Sequence, residues 1–111
     1  MITDLSYLRS MSSDDAGFIS EMVAIFKEQI EEYSVQMPEL LKKKDYLNLS
    51  RLAHKAKSSV AVMGMSKEAE MLKTLEINAV KELEIDTYAP IIDTFIKNSF
   101  AALEELDEYL N

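Results

Sequence analysis

Apolar residues recur at steps of three and four along most of this chain of 111 residues. Steps of that size follow the period of an α-helix. Alternating apolar and polar runs rich in β-branched residues, which are typical of strands, are missing. Two glycines and two prolines leave few positions at which a helix can end. The pattern therefore predicts an all-α protein.

A short N-terminal helix is predicted around Leu5 and Leu8, and the first long helix follows it. Residues 12–15 offer capping side chains and early negative charge for that long helix. Pro38 is expected to kink or break it, because proline lacks the amide hydrogen and crowds the preceding turn. The apolar side of this helix comprises Phe18, Met22, Ile25, Phe26, Ile30, Tyr33, Met37 and Leu40.

The second long helix is predicted to run from a cap at Asp45 to about Met63, where Gly64 ends it. A narrow apolar seam follows one side of this helix, as in helical bundles. The seam comprises Tyr46, Leu49, Ala53, Ala56, Val60 and Met63.

Two further helices are predicted after caps at Ser66 and Asp86, with Pro90 in or near the first turn of the last one. Their inward residues are Ala69, Leu72, Leu75, Ala79 and Leu83, and then Ile91, Ile92, Phe95, Ile96, Leu103 and Leu106. Short connections make neighbouring helices antiparallel. The expected fold is an up-and-down antiparallel four-helix bundle with a short N-terminal helix, in one domain over residues 1–111.

Composition excludes several classes of protein. The net charge of −8 disfavours nucleic acid as a partner. The absence of cysteine excludes disulfides, thiolate metal sites and cysteine nucleophiles. The first ten residues lack the pattern of a signal peptide, and no apolar run is long enough to span a membrane. We therefore expect a soluble, cytoplasmic protein, and Met1 favours a free-standing chain over a domain excised from a larger one.

His54 is the only histidine, and it lies inside a basic part of the second long helix, with Arg51, Lys55 and Lys57. On a helical wheel His54 falls roughly 130° from the centre of the apolar seam, so it is expected to face solvent. Its side of the helix also carries Leu47, Ser50, Arg51, Ser58, Ala61 and Met65. The residues in the middle of this surface have small side chains and those at its edges are basic. Such a surface suits a partner that approaches the imidazole closely.

The chemistry open to an exposed histidine on a convex helix is limited. A neutral imidazole is a good nucleophile, but acyl transfer also needs an enclosed oxyanion site. A metal site would need further ligands, and no second histidine or thiolate exists, so no metal is expected. Phosphoryl exchange fits better, because Lys57, Lys55 and Arg51 can offset the charge of a phosphohistidine.

Residues 54–59, HKAKSS, resemble the H-x-x-K-small-small signature of histidine-containing phosphotransfer (HPt) domains, and Gly64 matches the glycine ten residues after the histidine. The likeness covers most of the chain, including its length, acidity and helix count. It implies that His54 accepts the phosphoryl group and that Lys57 stabilises it, with Lys55 in support. Ser58 stands where many members have glycine, and Glu76 matches a position whose side chain holds the other imidazole nitrogen.

The resemblance also implies the partners. The family relays phosphoryl groups between aspartates of response-regulator receiver domains, downstream of a hybrid sensor histidine kinase. Mg²⁺ would belong to the receiver, so this chain is expected to bind no cofactor and to act as a carrier rather than an enzyme. Contacts with the partner are expected at Leu47, Ser50, Arg51, Ala61, Gly64 and Met65.

Two other classes of function stay open. A helical interaction module could bind a receiver or another signalling partner without phosphorylation, and would tolerate His54→Gln or His54→Ala. An acid–base or metal enzyme using His54 would show turnover or retain metal by itself. Neither nucleic acid nor a membrane is expected as a partner.

Overall fold

A computed structural model describes residues 3, 4, 6 and 16–110 of the chain. Within those residues, four α-helices hold most of the chain and no strand occurs: α1 (Ala16–Lys42), α2 (Tyr46–Val62), α3 (Ser66–Lys81) and α4 (Tyr88–Leu110). A single 3₁₀ turn, Ile85–Thr87, precedes α4. The predicted all-α bundle is confirmed. The N-terminal helix expected around Leu5 and Leu8, and the caps at residues 12–15, lie outside the described residues.

The four helices surround one apolar core and form an elongated body of 42 × 21 × 20 Å. Helix α1 packs against α2 and α4, α3 packs against the same two helices, and the α2–α3 contact is the most extensive. The predicted seam of α2 lies in this core, since Leu49, Ala53, Ala56, Val60 and Met63 are all buried. Alanine at two of these positions lets the α3 backbone approach α2 closely. No described helix is long and apolar enough to cross a membrane.

Both ends of α2 are defined by specific hydrogen bonds. The Asp45 carboxylate accepts from the Asn48 amide at 3.3 Å, so the predicted cap is confirmed. At the other end Gly64 has a φ of +72°, in the left-handed region. The Gly64 amide donates to the Ala61 carbonyl, and the next amide donates to the Val60 carbonyl. This pair of bonds is a Schellman motif, which favours glycine at the left-handed position.

Two apolar residues that were predicted to point inward are exposed. Ile25 is 42% exposed, because Phe26 beside it takes the inward position on α1. Leu83 is 52% exposed. It follows Glu82, whose φ of +54° ends α3, so the helical period no longer applies to it.

Two predicted helix caps are wrong, and the break that was one of two alternatives at Pro38 does not occur. Ser66 is the first residue of α3 rather than its cap, which is Met65 without a side-chain hydrogen bond. Asp86 lies in the 3₁₀ turn instead of capping α4. Helix α1 continues through Pro38 without a break. Pro38 is exposed, so water can bind the carbonyl oxygen that loses its amide partner.

Candidate functional site

Ser50 fixes the position of α3 relative to α2. Its hydroxyl donates to the backbone carbonyl of Glu76 at 2.7 Å, and the serine itself is buried. The short side chain and the small residues of the α2 seam bring the two helices together at this level. As a result the Glu76 side chain projects towards the outer surface of α2, one turn beyond Ser50.

Three side chains meet there. Glu76 Oε2 lies 2.8 Å from His54 Nδ1, and Glu76 Oε1 accepts a hydrogen bond from Lys57 Nζ at 2.9 Å. The His54 side chain is 62% exposed, whereas those of Glu76 and Lys57 are about a quarter exposed. One carboxylate therefore bridges two residues that lie one helical turn apart on α2, and it leaves the other ring nitrogen of His54 unobstructed.

The Glu76 carboxyl group is held in its ionised form. Burial raises its pKa, but the hydrogen bonds from Lys57 and His54 and the positive charge of both residues outweigh burial, so the pKa of Glu76 lies below its ordinary value. An ionised carboxylate can only accept hydrogen bonds. In the neutral ring the hydrogen therefore sits on Nδ1 of His54, and Nε2 keeps its lone pair towards solvent.

Charge is unevenly divided among the helices around this site. Helix α2 contains no aspartate or glutamate, while it carries Arg51, Lys55 and Lys57. Arg51 and Lys55 are exposed on either side of His54. The surface around the imidazole is thus cationic although the chain as a whole is acidic, and Glu76 of α3 supplies the negative charge that contacts the ring.

Two depressions lie at the ends of the exposed face of α2, and the one beside Ser58 is the more apolar. One, of about 230 Å³, runs between α1 and α2 beside Ser58, with Met22 and Ile25 on its far wall. The other, of about 250 Å³, lies between the start of α2 and the end of α3 and is lined by Leu47 and Val80 together with the charged Lys44, Asp45 and Glu82. Leu47 and Val80 are each more than half exposed. Neither Ile25 nor Val80 was predicted as a surface residue from the sequence, since Ile25 was assigned to the core and Val80 was not singled out.

Only some of the residues that were predicted to contact the partner are exposed. Leu47, Arg51, Ser58 and Ala61 are exposed, as predicted. The prediction is wrong for Ser50 and Met65. Ser50 is buried against α3, and Met65 is fully buried in the core. Met65 follows the left-handed turn, so the wheel of α2 does not describe its direction.

Gly64 is also not an open docking position. The Asp4 amide donates to the Met63 carbonyl at 3.0 Å, which places Thr3 and Asp4, here called the N-terminal segment, at this turn. Thr3 anchors the same segment to α4, because its hydroxyl donates to Glu105 Oε1 at 2.7 Å. A Cβ at Gly64 would overlap the backbone of Asp4. The glycine thus serves the packing of the N-terminal segment.

Potential metal ligands do not cluster in the described part of the chain. Within residues 3, 4, 6 and 16–110, no three histidine or acidic side chains come together in a way that could hold an ion. At the site itself, Glu76 Oε1 and Oε2 are both occupied by their partners on α2.

Comparisons with known proteins agree with the geometry. A sequence model of the family described as the Hpt domain matches residues 21–110. The chain is also similar to a Candida albicans protein named phosphorelay intermediate protein YPD1, with 30% identity over 71 residues. That alignment covers 64% of this chain and 39% of the relative, so the chain spans well under half of the relative's length. No solved structure matches the chain.

Proposed function

Because the chain belongs to the Hpt domain family, we propose that it is a phosphorelay intermediate of two-component signalling. His54 accepts a phosphoryl group from the aspartate of one response-regulator receiver domain and donates it to the aspartate of another. A hybrid sensor histidine kinase acts upstream, and the relay operates in the cytoplasm. The observation that carries the proposal is an exposed imidazole whose Nδ1 is held by Glu76 while Nε2 is open to a partner.

The acceptance step needs little from this chain beyond orientation and charge. Nε2 of His54 attacks the phosphorus of the aspartyl phosphate, and the P–O bond to the aspartate breaks. The electron pair of that bond stays on the aspartate, which leaves as a carboxylate, while Nδ1 keeps its hydrogen towards Glu76. Glu76 is a positioning residue in this step, since it fixes the tautomer in which Nε2 is the nucleophile.

Lys57 stabilises the transferred group. It lies one turn from His54 on the same side of α2, and its ammonium group contacts the carboxylate that also contacts the imidazole. Lys55 and Arg51 add positive charge at the edge of the site and steer the acidic rim of a receiver towards it. Mg²⁺ is held by the acids of the receiver, so this chain is a carrier with no turnover of its own.

The partner docks on the exposed face of α2. Ser58 and Ala61 keep the surface low beside the imidazole, so that the phosphorylated aspartate can approach Nε2. The apolar depression at Ser58 and Met22 receives apolar side chains of the receiver on one side, and the exposed side chains of Leu47 and Val80 contact the receiver on the other. The cationic edges and the exposed apolar side chains together match a partner that has an acidic rim around its active site and apolar side chains beside that rim.

The direct test is transfer of labelled phosphoryl from a phosphorylated receiver in the presence of Mg²⁺. We expect label on this chain that is lost in acid and stable in base, as for a phosphoramidate bond. An acid-stable label would indicate a phosphorylated hydroxyl, for example on Ser58, and would contradict the proposal. Absence of any label with every receiver of the source cell would favour the interaction module without phosphorylation.

If the receiver docks on the exposed face of α2, a larger side chain at Ala61 should slow phosphoryl transfer. A phenylalanine there stands about two turns from His54, so it obstructs a docked receiver without touching the imidazole. We expect Ala61→Phe to slow transfer from a phosphorylated receiver by about tenfold or more, because small displacements of the reacting atoms are costly. Labelling by phosphoramidate, a donor small enough to avoid the obstruction, should be unchanged.

Ala101→Phe is the matched control. Ala101 is also an exposed alanine, but it lies on α4, away from the site. Transfer to this variant should equal that to the wild type. An equal loss in both variants would mean that added bulk, rather than its place on α2, reduces transfer.

A further inference from the structure

On the basis of the proposed function, we infer that Glu76 also acts when the phosphoryl group leaves. Its carboxylate holds the hydrogen on Nδ1 of the phosphorylated ring, so that His54 departs as a neutral imidazole. The geometry that carries this inference is the 2.8 Å contact between Glu76 Oε2 and His54 Nδ1, with Lys57 on the second carboxylate oxygen.

The chemistry of the leaving group makes that hydrogen decisive. Phosphorylation uses the lone pair of Nε2, so a ring that keeps its hydrogen on Nδ1 becomes a cation. In donation, an aspartate oxygen attacks phosphorus, the Nε2–P bond breaks, and the electron pair returns to Nε2. The ring is then neutral and still carries its hydrogen on Nδ1. If that hydrogen were lost first, the leaving group would be an imidazolate anion, which leaves far more slowly.

Among the charged side chains of α2 and α3 near the ring, Glu76 alone favours the cationic form, and it adds to the effect of the phosphoryl dianion itself. On α2, Arg51, Lys55 and Lys57 flank His54, and on α3 Lys73 lies one turn before Glu76. All four cations disfavour a positive charge on the ring. A carboxylate in hydrogen-bond contact favours it. Because the Glu76 side chain is only 25% exposed, water screens its charge less than that of a surface ion pair.

Because of Lys57, the effect of Glu76 on the Nδ1 hydrogen depends on whether His54 is phosphorylated. In the unphosphorylated protein Lys57 Nζ neutralises Glu76 Oε1 at 2.9 Å. A phosphoryl dianion on Nε2 attracts the same ammonium group, and Lys57 transfers to the phosphoryl oxygens. The Glu76 charge is then no longer shared with Lys57, and it acts on the ring alone. Loading therefore strengthens the hold of Glu76 on the Nδ1 hydrogen.

The test compares wild type, Glu76→Gln and Glu70→Gln after loading with phosphoramidate. Glu70 is exposed on the same helix, and its carboxylate makes no hydrogen bond to His54, so it controls for loss of one negative charge. The ³¹P shift of the phosphohistidine and its rate of hydrolysis are followed between about pH 5 and pH 10. Circular dichroism verifies that each variant is folded.

We expect the midpoint of the ³¹P titration to fall by about one pH unit in Glu76→Gln, as for loss of a contacting opposite charge. At about pH 9 its phosphohistidine should hydrolyse up to about tenfold more slowly than in wild type. Glu70→Gln should follow the wild type. Glu76→Asp, which keeps the charge, should lie between wild type and Glu76→Gln.

The possible failures are distinguishable. A wild-type chain that gives no phosphohistidine signal would overturn the proposed function itself. A loaded chain whose midpoint is the same in wild type and Glu76→Gln would overturn the inference and leave the carrier role standing. A shift of equal size in Glu70→Gln would also overturn it, since the charge of Glu76 would then act without contact.

Discussion

Replacing His54 with glutamine is expected to abolish labelling of this chain by a phosphorylated receiver. Glutamine has no nitrogen lone pair that can attack phosphorus, and loss of a nucleophile costs at least about a thousandfold in rate. The fold should be unaffected, because the imidazole is 62% exposed and lies outside the core. The glutamine amide can still donate to Glu76. Transferred label and a thermal melt, measured on the same preparation, check both expectations.

Lys55→Gln is the control for His54→Gln. It changes the next residue on the exposed face of α2 to the same side chain and removes a cation, so label should appear more slowly but reach the same final level. Label that persisted in His54→Gln would show that another residue accepts the phosphoryl group. Ser58, on the same face, would be the first to examine.

His54→Gln also distinguishes between the three classes of function that the sequence leaves open. A carrier loses its biological output in His54→Gln, even where receiver binding is retained. An interaction module keeps both, since neither depends on a nucleophile. An acid–base enzyme would lose a turnover that the wild type performs without any partner. One substitution thus gives a different result for each class.

The local parts of the structure could be predicted because helical periodicity is a local property. Steps of three and four place Leu49, Ala53 and Val60 on one side of α2 whatever the neighbouring helices do. The direction of His54 follows from the same wheel. The Asp45 cap also depends on residues within one turn, and it is present as expected. These features needed no knowledge of tertiary contacts.

Other features depend on the packing of one helix against another, which a helical wheel does not describe. Ser50 lies at the edge of the exposed face, and only the close approach of α3 makes it buried. Met65 and Leu83 each follow a left-handed residue, where the phase of the preceding helix ends. The position of Glu76 was suggested by family resemblance. Its two contacts with α2 depend on the distance between helices, which only coordinates provide.

Gly64→Ala is expected to lower the stability of the fold without changing the phosphoryl chemistry. An alanine at a φ of +72° is strained, and its Cβ would overlap the backbone of Asp4. The N-terminal segment must then move, with loss of the hydrogen bond from the Asp4 amide to the Met63 carbonyl. Together these effects should lower the free energy of unfolding by about 2–3 kcal/mol and Tm by about 10 °C.

Gly64→Asn separates the two causes. Asparagine tolerates the left-handed region better than alanine, but it carries a Cβ as well. If the overlap with Asp4 dominates, both variants lose similar stability, whereas backbone strain alone would spare Gly64→Asn. Below its melting transition, Gly64→Ala should accept phosphoryl groups from a receiver at the wild-type rate, because the turn is covered by the N-terminal segment. Slower transfer in the folded variant would instead indicate that Gly64 is part of the docking surface.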